Sequence, residues 1–224
     1  MKKIHILTLL TITVALFAFV DNRENDGKLL FESQIGPVNS KITVQVFDLN
    51  LNKAELEKTM QIDLVNQGIV IFRDTLMIQM NDEPLIDLIE INGDGIKDLR
   101  IEYLRPGRGG NNVSMAYLYN AKNMRLDKIS NSIYFPNLSF DEQLKSIYSF
   151  RFYGGFAVQM DYLEIVSDTL SPRHQIIKEE QIIYIKKYIN GKWIDRKELK
   201  LNSDDIIIPE VIELEPEIKI KNAS

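Results

Sequence analysis

Period-two alternation of apolar and polar side chains, broken by turn formers, dominates residues 41 to 201 and leaves little room for helix. "KITVQVFDL" (41–49) sets valine, isoleucine and phenylalanine against threonine and glutamine, the pattern of a strand with one buried face. "MQIDLVNQGIVIF" (60–72) reads as two strands around Asn66-Gln67-Gly68. "PLIDLIEI" and "LRIEYL" follow, then a hairpin in "VSMAYLYNAKNMRLDKI" (113–129) that turns at Ala121-Lys122-Asn123. "LKSIYSFRFY" (144–153) and "AVQMDYLEIV" (157–166) are joined through Gly154-Gly155. "QIIYIKKYINGKWIDRKELKL" (181–201) turns at Asn190-Gly191, the strongest short hairpin signal in the chain. Only "LNKAELEKTM" (51–60) offers a turn or two of helix, or else a loop. About eleven strands at 8–12 residue spacing predict an all-β antiparallel fold, a sandwich, barrel or propeller. Hairpin units of roughly 20–25 residues favour a β-propeller-like arrangement of blades.

The two ends of the chain read differently. "MKKIHILTLLTITVALFAFV" (1–20) has two lysines before an apolar run, the layout of a secretory signal peptide or an N-terminal anchor. Residues 21–28, "DNRENDGK", read as a solvated linker, and 29–201 as a single β domain. The acidic "SDDIIIPEVIELEPEIKIKNAS" carries two prolines, so 202–224 is expected to be an edge segment or a disordered tail. The chain is expected in the periplasm or outside the cell, with no membrane contact beyond the signal. Its net charge of -5 argues against nucleic acid as a partner. With no cysteine, an exported domain has no disulfide to brace it.

A metal would supply such a brace, and "EINGDGIKDLRIEY" (90–103) has the spacing for one. Glu90, Asn92, Asp94, the backbone carbonyl of Ile96, and Asp98 stand at positions 1, 3, 5, 7 and 9, with Gly95 at position 6. A loop that wraps one ion turns every second side chain inward, and a glycine allows the sharp bend. Hard oxygen donors in that number suit calcium. Position 12 is Ile101 and the flanks are strands, so this is not an EF-hand. The competing reading is a plain hairpin turn, since Asn, Asp and Gly are what turns demand. Transition metals are disfavoured, because past residue 20 the chain has His174 alone and no cysteine.

The order of this loop, "AYLYNAKNMRLDKI" (116–129), "FPNLSFDEQLKSIYSFRFYGG" (135–155) and "NGKWI" (190–194) resembles the small exported calcium-loop β-propeller inhibitors. These serve as immunity proteins against lysozyme-like peptidoglycan hydrolases. The resemblance covers about residues 85–200. It implies a non-enzymatic protein with a structural calcium ion (Ca2+), bound to such a hydrolase through loops. It also implies a tyrosine that reaches the enzyme's acidic groups, a role that falls here on Tyr153 beside Gly154-Gly155. The bland reading of Tyr153 is an ordinary strand-end aromatic.

"RPGRGGNN" (105–112) lacks the Lys-Ser/Thr of a phosphate loop and reads as a connection whose Arg105 and Arg108 are placed to meet a partner's carboxylates. Nucleophilic catalysis finds no support: there is no cysteine and no G-x-S-x-G, and His174 lies in "SPRHQ", a loop by its composition. Trp193 reads as core rather than a sugar platform. The alternative function, from a different class, is a calcium-stabilised structural or adhesive module that binds a glycan or a surface protein.

Overall fold

The computed structural model describes residues 27–49, 57–80, 82–104, 110–153 and 157–200. They form an all-β, antiparallel structure of three sheets. The first holds β1 (Lys28–Gln34), β2 (Ile42–Asp48), β3 (Glu57–Asn66) and β4 (Ile69–Gln79). The second holds β5 (Ile86–Ile89), β6 (Asp98–Leu104), β7 (Val113–Asn120) and β8 (Arg125–Ile129). The third runs through β9 (Ser139–Asp141), β10 (Ser146–Tyr153), β11 (Ala157–Val166), β12 (Thr169–Glu179), β13 (Ile182–Ile189) and β14 (Lys192–Lys200). In each sheet every strand pairs with its neighbour in sequence. Among the described residues a 3-10 turn, Ser132–Tyr134, lies between the second and third sheets.

Turn chemistry sets these registers. Asn190 and Gly191 both adopt positive φ, 51° and 79°, as a two-residue hairpin with the native twist requires. Gln67 and Gly68 do the same between β3 and β4.

Four details depart from the sequence reading. The described part of the 51–60 stretch, Glu57–Met60, is strand rather than helix: it opens β3, pairing with β2 and β4. Lys28, assigned above to the linker, begins β1. Fourteen strands are present among the described residues, more than the eleven or so expected. His174 lies within β12, opposite Tyr162, not in a loop. Pro172 disguised that strand. It sits opposite Leu163 beside a bulge that leaves Arg173 without a cross-strand partner, the place where a sheet tolerates a residue lacking N–H. The signal segment, the rest of the linker and the 202–224 tail lie outside the described residues.

Two hydrophobic clusters join the sheets. One packs Val44, Ile62, Leu64 and Ile78 of the first sheet onto Leu99, Ile101 and Tyr117 of the second. Each such side chain contributes about 1.5–3 kcal/mol on burial. The Tyr117 hydroxyl crosses the same interface and donates to Asp74 at 3.1 Å. The other cluster joins Ile91, Ala116 and Ile129 to Leu138, Ile147, Leu163 and Leu170, between the second and third sheets. Asn131 clamps it with two bonds to the Leu170 backbone, at 2.8 and 2.7 Å.

Candidate functional site: the Glu90–Asp98 loop and the far end of the second sheet

The loop connects β5 to β6, and its oxygens are divided between two tasks. Three point at the loop's own backbone. Glu90 Oε1 accepts from the N–H of Gly93 (2.7 Å) and Asp94 (3.2 Å). Asn92 Oδ1 accepts from Asp94 N–H at 3.0 Å, and Asp94 Oδ1 from Ile96 N–H at 2.8 Å. These are the local bonds that short polar side chains offer in turns. Gly93, at φ +81°, lies against the Phe140 ring, and a Cβ there would overlap it. The loop is therefore seated on β9, and only glycine fits.

Asp98 does something else. Its side chain is fully buried. Oδ2 accepts from Ile91 N–H at 3.0 Å, and Oδ1 from Tyr119 N–H on β7 at 2.9 Å. The carboxylate thus pins both the loop entrance and a neighbouring strand. Burial pushes its pKa up to about 7. The two N–H donors pull the other way, and the charges of Asp94 and Glu90 add to the rise.

Five oxygen donors with up to three negative charges match a hard divalent cation in type and number. Their arrangement does not yet converge: among the described residues no group of three or more acidic or histidine side chains is placed to hold a metal ion. Both oxygens of Asp98 are occupied by backbone donors. Glu90 would have to turn its second oxygen toward it, and Asp94 to release the bond its Oδ2 accepts from Asn92 Nδ2 at 3.1 Å. The structure brings Glu90, Asn92, Asp94, Ile96 and Asp98 into one turn and gives each polar side chain a backbone partner.

Tyr153 stands at the end of β10, 48% exposed. Its hydroxyl accepts from Arg151 Nη1 at 3.0 Å and donates to Gln159 Oε1 at 2.9 Å. Arg151 also lies over the Tyr153 ring, 5.8 Å from its centre, and donates to the Tyr134 carbonyl at 2.8 Å. Gln159 hands the chain of bonds inward to Asp161, which Gln175 also holds. The ring is thus fixed in place while facing solvent. Tyr134, whose carbonyl Arg151 holds, is 68% exposed. Sequence reasoning missed Arg151, Tyr134 and Gln159. Arg151 and Tyr153 share a strand face two residues apart, which was a signal available to it.

Arg105 and Arg108 lie outside the described residues. The residues after them are placed: Asn111 makes two bonds to the Phe152 backbone, at 2.9 and 2.8 Å. The far end of β6, Leu104, lies seven residues of strand, about 20 Å, from the Glu90–Asp98 loop. Trp193, read above as core, is 37% exposed on β14, where its ring meets Tyr188 edge to face at 5.1 Å.

No family model matches the chain, and no curated protein matches it. A solved structure described as a Xanthomonas type IV secretion system related protein overlays it with a TM-score of 0.49 at 15% identity. That match covers 74% of this chain and 98% of the other. No helix among the described residues is long and apolar enough to cross a membrane.

Proposed function

We propose that this chain is an exported, non-catalytic protein that binds calcium and inhibits a lysozyme-like peptidoglycan hydrolase, with blade-like sheets as its frame. The observation that carries the reading is Tyr153. It is an exposed aromatic held rigid by Arg151 and Gln159, and the same arginine is bonded to the carbonyl of exposed Tyr134. Rigid aromatic and arginine anchors at a loop cluster are what a protein-binding surface needs, because little side-chain entropy is lost on docking. The resemblance of residues 85–200 supplies the class of partner, and "MKKIHILTLLTITVALFAFV" the route of export.

Calcium would be held by Glu90, Asn92, Asp94, the Ile96 carbonyl and Asp98, and its role is to brace. It would neutralise a buried carboxylate that has no cation beside it among the described residues, and so steady β6 where that carboxylate ties it to the loop entrance and to β7. The test is a lysis assay with residues 21–224, calcium, and a panel of muramidases. Stoichiometric loss of lysis, abolished by Tyr153→Ala with the fold intact, is the expected result. Undiminished lysis across the panel would remove the inhibitor reading. One observation favours a second reading, a calcium-stabilised adhesive module: Trp193 is 37% exposed and braced edge to face by Tyr188, which leaves part of an aromatic surface open to a sugar. Glycan binding lost in Trp193→Ala, with no hydrolase inhibited, would select it.

A further inference from the structure

Arg151 differs from every other arginine whose side chain is described. Arg73, Arg100, Arg125 and Arg173 each meet a carboxylate, on Asp63, Asp87, Asp127 and Glu164. Arg151 meets none among the described residues. Its Nη1 donates to the Tyr153 hydroxyl at 3.0 Å and its Nη2 to the Tyr134 carbonyl at 2.8 Å. Both partners are neutral, and a guanidinium keeps its charge at any ordinary pH. The side chain is half-buried, with the Tyr153 ring 5.8 Å from its charge. The bonds behind it run in one direction. Asp161, buried at 5% exposure, has only acceptors once ionised. Gln159 therefore turns Nε2 toward it, at 3.0 and 2.8 Å, and Gln175 adds its own Nε2 at 2.8 Å. That leaves Gln159 Oε1 facing outward, where it accepts the Tyr153 O–H at 2.9 Å. A phenol has a single proton to give. With that proton on Gln159, the Tyr153 oxygen offers only lone pairs, and one of them takes Arg151 Nη1.

The sequence resemblance gives Tyr153 the task of meeting a partner's acidic groups. The direction of these bonds gives it to the neighbouring side chain. We propose that Arg151 is the carboxylate-binding residue of this surface, and that Tyr153, Gln159 and Asp161 are positioning residues that hold its guanidinium. Tyr153 contributes a ring beside the charge and an acceptor for one N–H, so the guanidinium is oriented before a partner arrives. Only Nη1 and Nη2 are engaged, which leaves further N–H groups of the fork for a ligand. A planar fork takes an Asp or Glu side chain through two parallel bonds, which an ammonium group does not match. The Tyr153 oxygen, by contrast, can accept a bond from a partner but has no proton left for its carboxylate. The identity of the partner rests on the inhibitor reading; the chemistry of the site does not.

The site is tested first without any hydrolase. The isotope-labelled full-length chain is titrated with glutarate, with chloride at matched ionic strength as the blank, and the Arg151 Nε–H resonance is followed. That resonance is assigned by its loss in Arg151→Lys. It should shift saturably with glutarate, in the wild-type chain and in Tyr153→Phe alike. A shift no greater than chloride gives would overturn the proposal. The second test uses a muramidase that the wild-type chain inhibits. Arg151→Gln should weaken inhibition about tenfold to a hundredfold, and Arg151→Lys nearly as much. Arg151→Lys keeps a donor for the Tyr134 carbonyl, so it serves where Arg151→Gln does not fold. Tyr153→Phe keeps the ring and removes only the hydroxyl, and should cost about threefold. The reverse order, with Tyr153→Phe the more damaging, would make the phenol proton the contact and overturn the proposal. Glutarate bound at Arg151 with no muramidase inhibited would support the site and remove the inhibitor reading. Inhibition left undiminished by both Arg151 variants would keep that reading and overturn the site.

Discussion

Asp63 and Asp98 are both fully buried, one in the first sheet and one in the second, and their surroundings differ in kind. Asp63 is met by a guanidinium: Arg73 on the next strand forks onto both of its oxygens at 2.8 Å, and Gln61 adds a third donor at 3.0 Å. Asp98 has two backbone N–H groups and, among the described residues, no positive side chain, while Glu90 and Asp94 add like charge nearby. The chain thus supplies its own counter-charge at one site. At the other it spends its hydrogen bonds on positioning and leaves the charge to be balanced from outside. That contrast is the physical case for a cation at the β5–β6 loop, and it can be broken or sharpened experimentally.

The largest effect is expected at the neutralised site. Arg73→Ala leaves a buried carboxylate with one amide donor and should cost about 3–4 kcal/mol in urea unfolding, calcium present or not. A loss that varied with calcium would erase the distinction between the two sites. Asp98→Ala strands the N–H groups of Ile91 and Tyr119 and should cost about 2–3 kcal/mol in chelator, and more in calcium. Stability against pH sharpens this point. Asp98 titrates near 7 in the folded chain, against an ordinary value of 3.8. Between those values the folded chain holds a proton that the unfolded chain has released. In chelator, the contribution of this group is therefore full below pH 4, falls as pH rises to about 7, and is flat above. Calcium needs the carboxylate, so adding it should flatten or reverse the fall; Asp98→Asn should remove both behaviours.

Asp94→Ala should lower the melting temperature in calcium and barely change it in chelator. At a calcium concentration about a hundred times the dissociation constant, the difference is about 2.7 kcal/mol. Equal effects in both would take the metal out of the loop. Gly93→Ala should cost about 1–2 kcal/mol with either buffer, since it strains a positive φ and displaces the Phe140 ring. The smallest effect on stability belongs to Arg108→Ala: none, with weaker binding to the hydrolase. An unchanged affinity would retire the 105–109 connection as a contact.

What the sequence made legible follows from the range of the forces involved. Hairpins were readable because their turns are local: Asn190-Gly191 needs positive φ at both positions, and Asn and Gly supply it, as Gly68 does after Gln67. Strand β12 was hidden because Pro172 reads as a break unless the neighbouring bulge is known, and the bulge exists only in the pairing with β11. Strand β9, three residues long, is too short for any periodicity. At the candidate site the alternation of oxygens was visible, but the use made of them was not. Nothing local marks Tyr119, 21 residues on, as the donor to Asp98. The same holds for Tyr153, whose hold on solvent-facing space depends on Arg151, Gln159 and the Tyr134 carbonyl.

The strand order of the three sheets, each strand beside its sequence neighbour, bears on how the chain finds its shape. Every ladder closes over a short loop, so the entropy of bringing strands together is met locally and early. What remains for the end is a small number of distant closures: Tyr117 to Asp74, Asn131 to Leu170, Asn111 to Phe152. Local pairing of this kind lets each sheet form before the side-chain latches between sheets close. Destabilising a latch should therefore quicken unfolding while leaving the speed of folding nearly untouched.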